Sequence, residues 1–180
     1  MLAIDTAANN SNEAWIILRD QALLYLLYGC GLRISEALSL KVKDISKEFI
    51  IIKGKGGKER KIPIINAITK QIEIYLGSCP YNLKESDFIF VGKQGKVLNP
   101  GVFQRQIRYL RNKLNLPETL TPHAFRHSFA THILTNGGDL KSIQELLGHQ
   151  DLSTTQKYTK IEAKHLLNVY NKSHPHGEGI

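Results

Sequence analysis

Histidine, arginine and tyrosine gather toward the C-terminal half of the chain. The run Thr121-Pro122-His123-Ala124-Phe125-Arg126-His127-Ser128-Phe129-Ala130-Thr131-His132 is followed by Leu146-Leu147-Gly148-His149, and Tyr158 stands nine residues after that histidine. His123 and Arg126 lie one helical turn apart, and such a pair is costly to bury without an anion beside it. An anionic ligand is therefore one reading, and two solvated side chains are the other. His123 and His127, at i and i+4, also have the spacing of two metal ligands on a helix. No Glu follows His123 and no nearby carboxylate or Cys completes the ligand set, so no metal is expected. Taken alone, Tyr158 reads as a packed aromatic.

Two further groups carry charge. Arg33 and Glu36 in Gly31-Leu32-Arg33-Ile34-Ser35-Glu36 share one side at i,i+3. The segment from Lys53 to Lys61 holds Lys53, Lys55, Lys58, Arg60 and Lys61 with one acid, Glu59, around Gly54, Gly56 and Gly57. It fits a solvated turn, or a loop whose lysine reaches a phosphate. It is not a Walker loop, because no Gly-Lys-Ser/Thr opens a helix there.

The elements that must position these groups follow from periodicity. Trp15, Ile16, Leu18, Ala22, Leu23, Leu26 and Leu27 predict a helix over 15–28, which Gly29 and Gly31 break. A second helix is expected over 32–40. Phe49–Ile52 and Arg60–Ile64 read as strands of an antiparallel hairpin with the basic, Gly-rich turn between them. Helices are expected over 66–76, over 100–115 with Pro100 at its start, and over 121–135 with Thr121 as N-cap and Pro122 at the first position. Phe125, Phe129 and Ile133 should face the core. A short strand is expected over 87–91. Beyond the Gly137-Gly138 break come helices at 139–147, 153–159 and 162–171 and a mobile tail. Residues 1–14 read as a linker remnant or a disordered terminus. The fold class is mostly α with a small antiparallel β-sheet.

Composition narrows the partners. The 180 residues are 42% hydrophobic and 22% charged, which is globular, with no internal repeat. Lys and Arg number 24 against 16 Asp and Glu, a net charge of +8, and the pI is near 9.5. This excess points to a polyanion, nucleic acid first and a membrane surface second. Arg105, Arg108, Arg111 and Lys113 lie on the helix over 100–115 with no acid between Val102 and Lys113. That favours a helix lying against a DNA groove. No apolar run is long enough to span a bilayer, and no signal-peptide pattern opens the chain. Cys30 and Cys79 have neither disulfide-framework nor metal-site spacing and read as small buried hydrophobes in a reducing cytoplasm.

Together, and in this order, the boxes around Arg33, Lys55, His123 with Arg126, His149 and Tyr158 resemble those of the tyrosine recombinases, or phage-integrase family, and are most similar to the bacterial Xer-type enzymes. The resemblance covers nearly all of residues 15–170. It implies the DNA breaking-rejoining catalytic-domain fold over 15–172, with a mobile tail at 173–180 and without the N-terminal core-binding domain of Xer-type proteins. It implies a site-specific recombinase acting through a 3′-phosphotyrosyl intermediate. Tyr158 would be the nucleophile, Arg33 and Arg126 would grip the non-bridging oxygens, and His123 and His149 would bind the phosphate or assist proton transfer. Lys55 would protonate the leaving 5′-oxygen, with Lys58 in the same loop as its rival, and Glu36 would hold the basic residues in place. Double-stranded DNA is the implied partner, contacted also by Lys53, Lys58, Arg60, Arg105, Arg108, Arg111 and Lys113. A homo- or hetero-tetramer assembled through the last helix is expected on that DNA, with no membrane and no cofactor, since a phosphotyrosyl bond retains the energy needed for religation. Relaxation of the type IB topoisomerase sort and DNA binding without catalysis are the alternatives.

Overall fold

The computed structural model describes residues 13–54 and 59–135, with side chains as far as Thr131. Lys55, Lys58, His149, Tyr158, the segment 1–12, the side chain of Ile133, the Gly137-Gly138 break, the helices expected beyond it and the tail lie outside the described residues.

The first apolar stretch forms α1 (Ala14–Gly29). Its buried side chains include Trp15, Ala22, Leu23, Leu26 and Leu27. Ile16, Leu18 and Leu24 are half-buried around them, because helices pack on more than one side of α1. Gly31 then takes φ +60°, a left-handed conformation that turns the chain sharply. The next helix, α2 (Ile34–Leu38), is shorter than the expected 32–40. Arg33 is its extended N-cap, and Ser39 Oγ donates to Glu36 O at 2.8 Å past its last turn. A 3₁₀ turn, Val42–Asp44, leads into the hairpin.

The hairpin is as expected: β1 (Phe49–Lys53) pairs antiparallel with β2 (Glu59–Pro63), with Ile50 opposite Ile62 and Ile52 opposite Arg60. Ile50, Ile52 and Ile62 are buried, so one face of the ribbon looks inward. Then come α3 (Asn66–Ser78), α4 (Pro100–Lys113) and α5 (Pro122–Thr135). Asn99 caps α4 by accepting from Gly101 N at 2.8 Å, and Thr121 Oγ1 caps α5 by accepting from Ala124 N at 3.2 Å.

The segment 87–91 is not a strand. Phe88 bridges Lys41 and Val91 bridges Val97, each as an isolated bridge. Its backbone is shared between two neighbours, with Ile89 N donating to Leu40 O and Leu98 N to Phe90 O, both at 2.9 Å. No ladder can propagate between partners that change so soon.

α1 packs against α3 and α5, and the core holds Tyr75, Phe90, Phe103 and Phe129, all fully buried. The Tyr75 ring stacks on Phe90 at 5.8 Å, and its hydroxyl donates to Ile89 O at 2.8 Å. Arg19 donates to Asp20 Oδ1 through Nε and Nη2 at 2.9 and 2.7 Å and through Nη1 to Val91 O at 3.0 Å. A buried guanidinium thus ties α1 to the 88–98 loop with its donors satisfied.

Candidate active site

Three elements converge on one carboxylate. Glu36 is the third residue of α2 and reaches back to the start of its own helix, where Oε2 accepts from Arg33 N at 2.8 Å. Its Oε1 lies 3.1 Å from Arg33 Nη1 and 3.1 Å from Arg60 Nη2. Arg126 Nη1 stands 3.8 Å from Oε2 and donates to Gly31 O at 2.7 Å. The Gly31 turn between α1 and α2 therefore presents a carbonyl to the buried arginine of α5.

The three guanidiniums differ in exposure. Half of the Arg33 side chain is open to solvent, against 15% for Arg60 and 7% for Arg126. Burial alone would raise the Glu36 pKa. The Arg33 N–H bond and the charges of Arg60 and Arg33 outweigh it and hold the carboxyl below its ordinary value. Burial, with repulsion from Arg33 and Arg60 and some relief from Glu36, pushes Arg126 down to about 10, which leaves it cationic at neutral pH. Among the described residues, Glu36 is the carboxylate in ion-pair reach of all three. Such an array can bind an anion, with Arg33 at its solvent face and two fixed cations behind.

His123 stands exposed in the first turn of α5, one turn before buried Arg126. Its Nε2 lies 3.0 Å from His127 Nε2 with the rings edge-on, so one nitrogen donates and the other accepts. Among the described residues no three His, Cys, Asp or Glu side chains are grouped to hold a metal.

Of the side chains expected on DNA, Arg105, Arg108 and Lys113 are exposed on α4, opposite its buried Phe103 and Ile107. Lys53 is exposed and pairs with Glu59 at 3.8 Å. Two others are turned inward. Arg111 Nη1 donates to Glu118 O at 2.5 Å and Leu120 O at 3.2 Å, clamping the link from α4 to α5. Arg60 meets Glu36. Its direction was open to sequence reasoning, because Arg60 and buried Ile62 are two apart on one strand and so share a face. Arg111 carried no such signal, since its partners are backbone carbonyls set by the loop.

Comparison with known proteins follows the same outline. The phage integrase family matches residues 3–165. The chain is 49% identical over 176 residues to tyrosine recombinase XerC of Rhodospirillum centenum, covering 97% of this chain and 52% of the relative. It is 52% identical over 175 residues to tyrosine recombinase XerC of Rickettsia bellii, covering 97% and 57%. The chain thus spans about half the length of the curated relatives it matches. Among solved structures it is similar to XerH site-specific recombinase bound to difH substrate in a pre-cleavage complex, with TM-score 0.70, 28% identity, and 93% of this chain and 46% of that one covered. It is also similar to XerA recombinase, with TM-score 0.65, 27% identity and coverage of 92% and 60%.

Proposed function

The chain belongs to the phage integrase family, and from that premise we propose that it is the catalytic part, over residues 15–172, of a site-specific DNA recombinase of the Xer type. It acts on double-stranded DNA in the cytoplasm. The single observation that carries the reading furthest is Glu36 gathering Arg33 and Arg126 from two separate helices. These are the arginines that the family's boxes mark for the phosphate, and sequence alone could not bring them together.

The chemistry then runs on named groups. The Tyr158 oxygen attacks the scissile phosphorus and passes its proton to a histidine of the site, His149 or His123, or through it to solvent, forming a 3′-phosphotyrosyl ester as the bond to the 5′-oxygen breaks. Lys55 gives the leaving oxygen its proton. Arg33 and Arg126 meet the non-bridging oxygens, whose charge grows in the pentacoordinate transition state, and preorganised donors of this kind are worth about 10²–10³ each in rate. His123 and His149 bind the phosphate or assist proton transfer. Lys53, Arg105, Arg108 and Lys113 meet the DNA backbone on either side. Four protomers assemble on DNA through the helix expected at 162–171. The relatives are named as recombinases, which weighs against relaxation without exchange.

The test is covalent capture on a nicked suicide duplex. Wild type forms a DNA–protein adduct, and Tyr158→Phe, which removes one hydroxyl, forms none while still binding DNA. An adduct with Tyr158→Phe rules the nucleophile out.

A further inference from the structure

We propose that Arg60 is a positioning residue of this site: from β2 it fixes the Glu36 carboxylate, and through it sets Arg33 and Arg126 for the phosphate. The proposal rests on the recombinase reading above.

Arg60 is the inward member of a strand whose neighbours face out. Its side chain is 15% exposed, while Glu59 beside it is 55% exposed and Lys53 across the turn 57%. It faces Ile52 across the ladder, and its Nη2 stands 3.1 Å from the same Glu36 oxygen that Arg33 Nη1 approaches at 3.1 Å. The Arg33 backbone N–H anchors Glu36 Oε2 at 2.8 Å, which leaves Oε1 to be fixed by Arg60, and Arg33 Nη1, on that same oxygen, inherits the order. Arg60 is too enclosed to meet a DNA backbone that half-exposed Arg33 reaches, so it acts through Glu36.

Arg60 is held less completely than the buried Arg19 of α1. Among the described residues Arg60 Nε is buried without a hydrogen-bond partner, while Nη2 meets Glu36 Oε1 at 3.1 Å, where its charge and hydrogen bond both lower the Glu36 pKa. A buried donor left unmade is unfavourable, so Arg60 is held here through one end of its guanidinium, at Glu36. Compare Arg19, whose side chain reaches two hydrogen-bond acceptors. Arg60 is also the second residue of the strand that leaves the Lys55 loop, which gives a rival route, through the hairpin lysine.

Single-turnover adduct formation on a nicked suicide duplex at saturating DNA, with an ordinary and a 5′-bridging phosphorothioate substrate, tests the proposal. A slight misplacement of catalytic groups costs on the order of 10–100-fold, and that loss is expected for Arg60→Met on both substrates, with DNA affinity within about twofold of wild type. Arg60→Lys, which returns the charge without the planar fork, should be intermediate. In a Glu36→Gln background Arg60→Met should cost little more. Rescue of Arg60→Met by the thio substrate would assign it to Lys55 instead. A loss confined to affinity would make it a phosphate contact, and additivity with Glu36→Gln would uncouple the pair. Each of these overturns the proposal. Should Arg60→Met fail to fold by thermal melting, Arg60→Lys decides, and a wild-type rate for it overturns the proposal. Absence of adduct from the wild type would strike the recombinase reading itself, whereas a wild-type adduct with Arg60→Met at full rate would strike only this inference.

Discussion

Glu36 is the hinge of the site's electrostatics, and its titration is testable. Its folded pKa lies below the ordinary 4.5, so the ion-pair contribution to stability is fully present above that value and is lost as pH falls through the lower, folded one. Glu36→Gln removes the contribution at every pH. The melting temperatures of wild type and Glu36→Gln should therefore differ at pH 7, by the equivalent of about 1–3 kcal/mol, and converge as the pH drops below 4.5. Taking the difference also cancels Asp20, whose pKa burial raises against the opposing charge of Arg19. A gap that persists in acid would mean that the substitution perturbs packing rather than charge. Arg33 supplies the second prediction. Arg33→Lys keeps the charge and loses the bidentate fork, so adduct formation should fall at least about tenfold while DNA affinity changes little. An unchanged rate would make Arg33 a surface cation.

At the scale of elements, the link between α4 and α5 sets where His123 and Arg126 stand. Asn115 takes φ +51°, a conformation Asn tolerates, and Arg111 holds the carbonyls of Glu118 and Leu120. Arg111→Met should therefore cost about 1–3 kcal/mol in chemical denaturation, since two carbonyls lose a charged donor. The slope of log DNA affinity against log salt should stay as in wild type. A slope shallower by about 0.9 would show that Arg111 neutralises a phosphate after all. The helix over 100–115 was legible from Pro100 at its start, and its buried Phe103 and Ile107 keep the four-residue period that seats it on the core. That one of its arginines turns back on the loop was not, because the carbonyls it serves come from a segment without periodicity. The expected strand at 87–91 failed for a related reason: Ile89, Phe90 and Val91 are buried, yet its bridge partners are single residues from two loops.

For the whole molecule, a surplus of eight positive charges predicts an electrostatic mode of DNA binding. Counterion release gives a slope of about −0.9 per neutralised phosphate, so the set Lys53, Arg105, Arg108 and Lys113 predicts a salt slope of roughly −3 to −4. Arg105→Ala and Arg108→Ala should each flatten it by about 0.9. Gel shifts across a salt series measure this, and a salt-independent affinity would place recognition elsewhere.

Residue types and spacing were enough to find α1, the hairpin and the helices from α3 to α5, and the charge surplus pointed to a polyanion, while Arg33, Glu36, His123 and Arg126 were marked by the resemblance of their boxes, taken together, to those of the family. Those signals are local: helical and strand periods, a cap at Thr121, prolines at helix starts, glycines at turns. Tertiary structure alone decided which cations share a carboxylate. Arg126 is 90 positions from Glu36 and meets it only because α5 and α2 both pack on α1. Arg60 joins them because the inner face of a two-stranded ribbon points the same way. Contacts of that separation depend on how helices and strands stack, and stacking is a property of the assembled core rather than of any one segment.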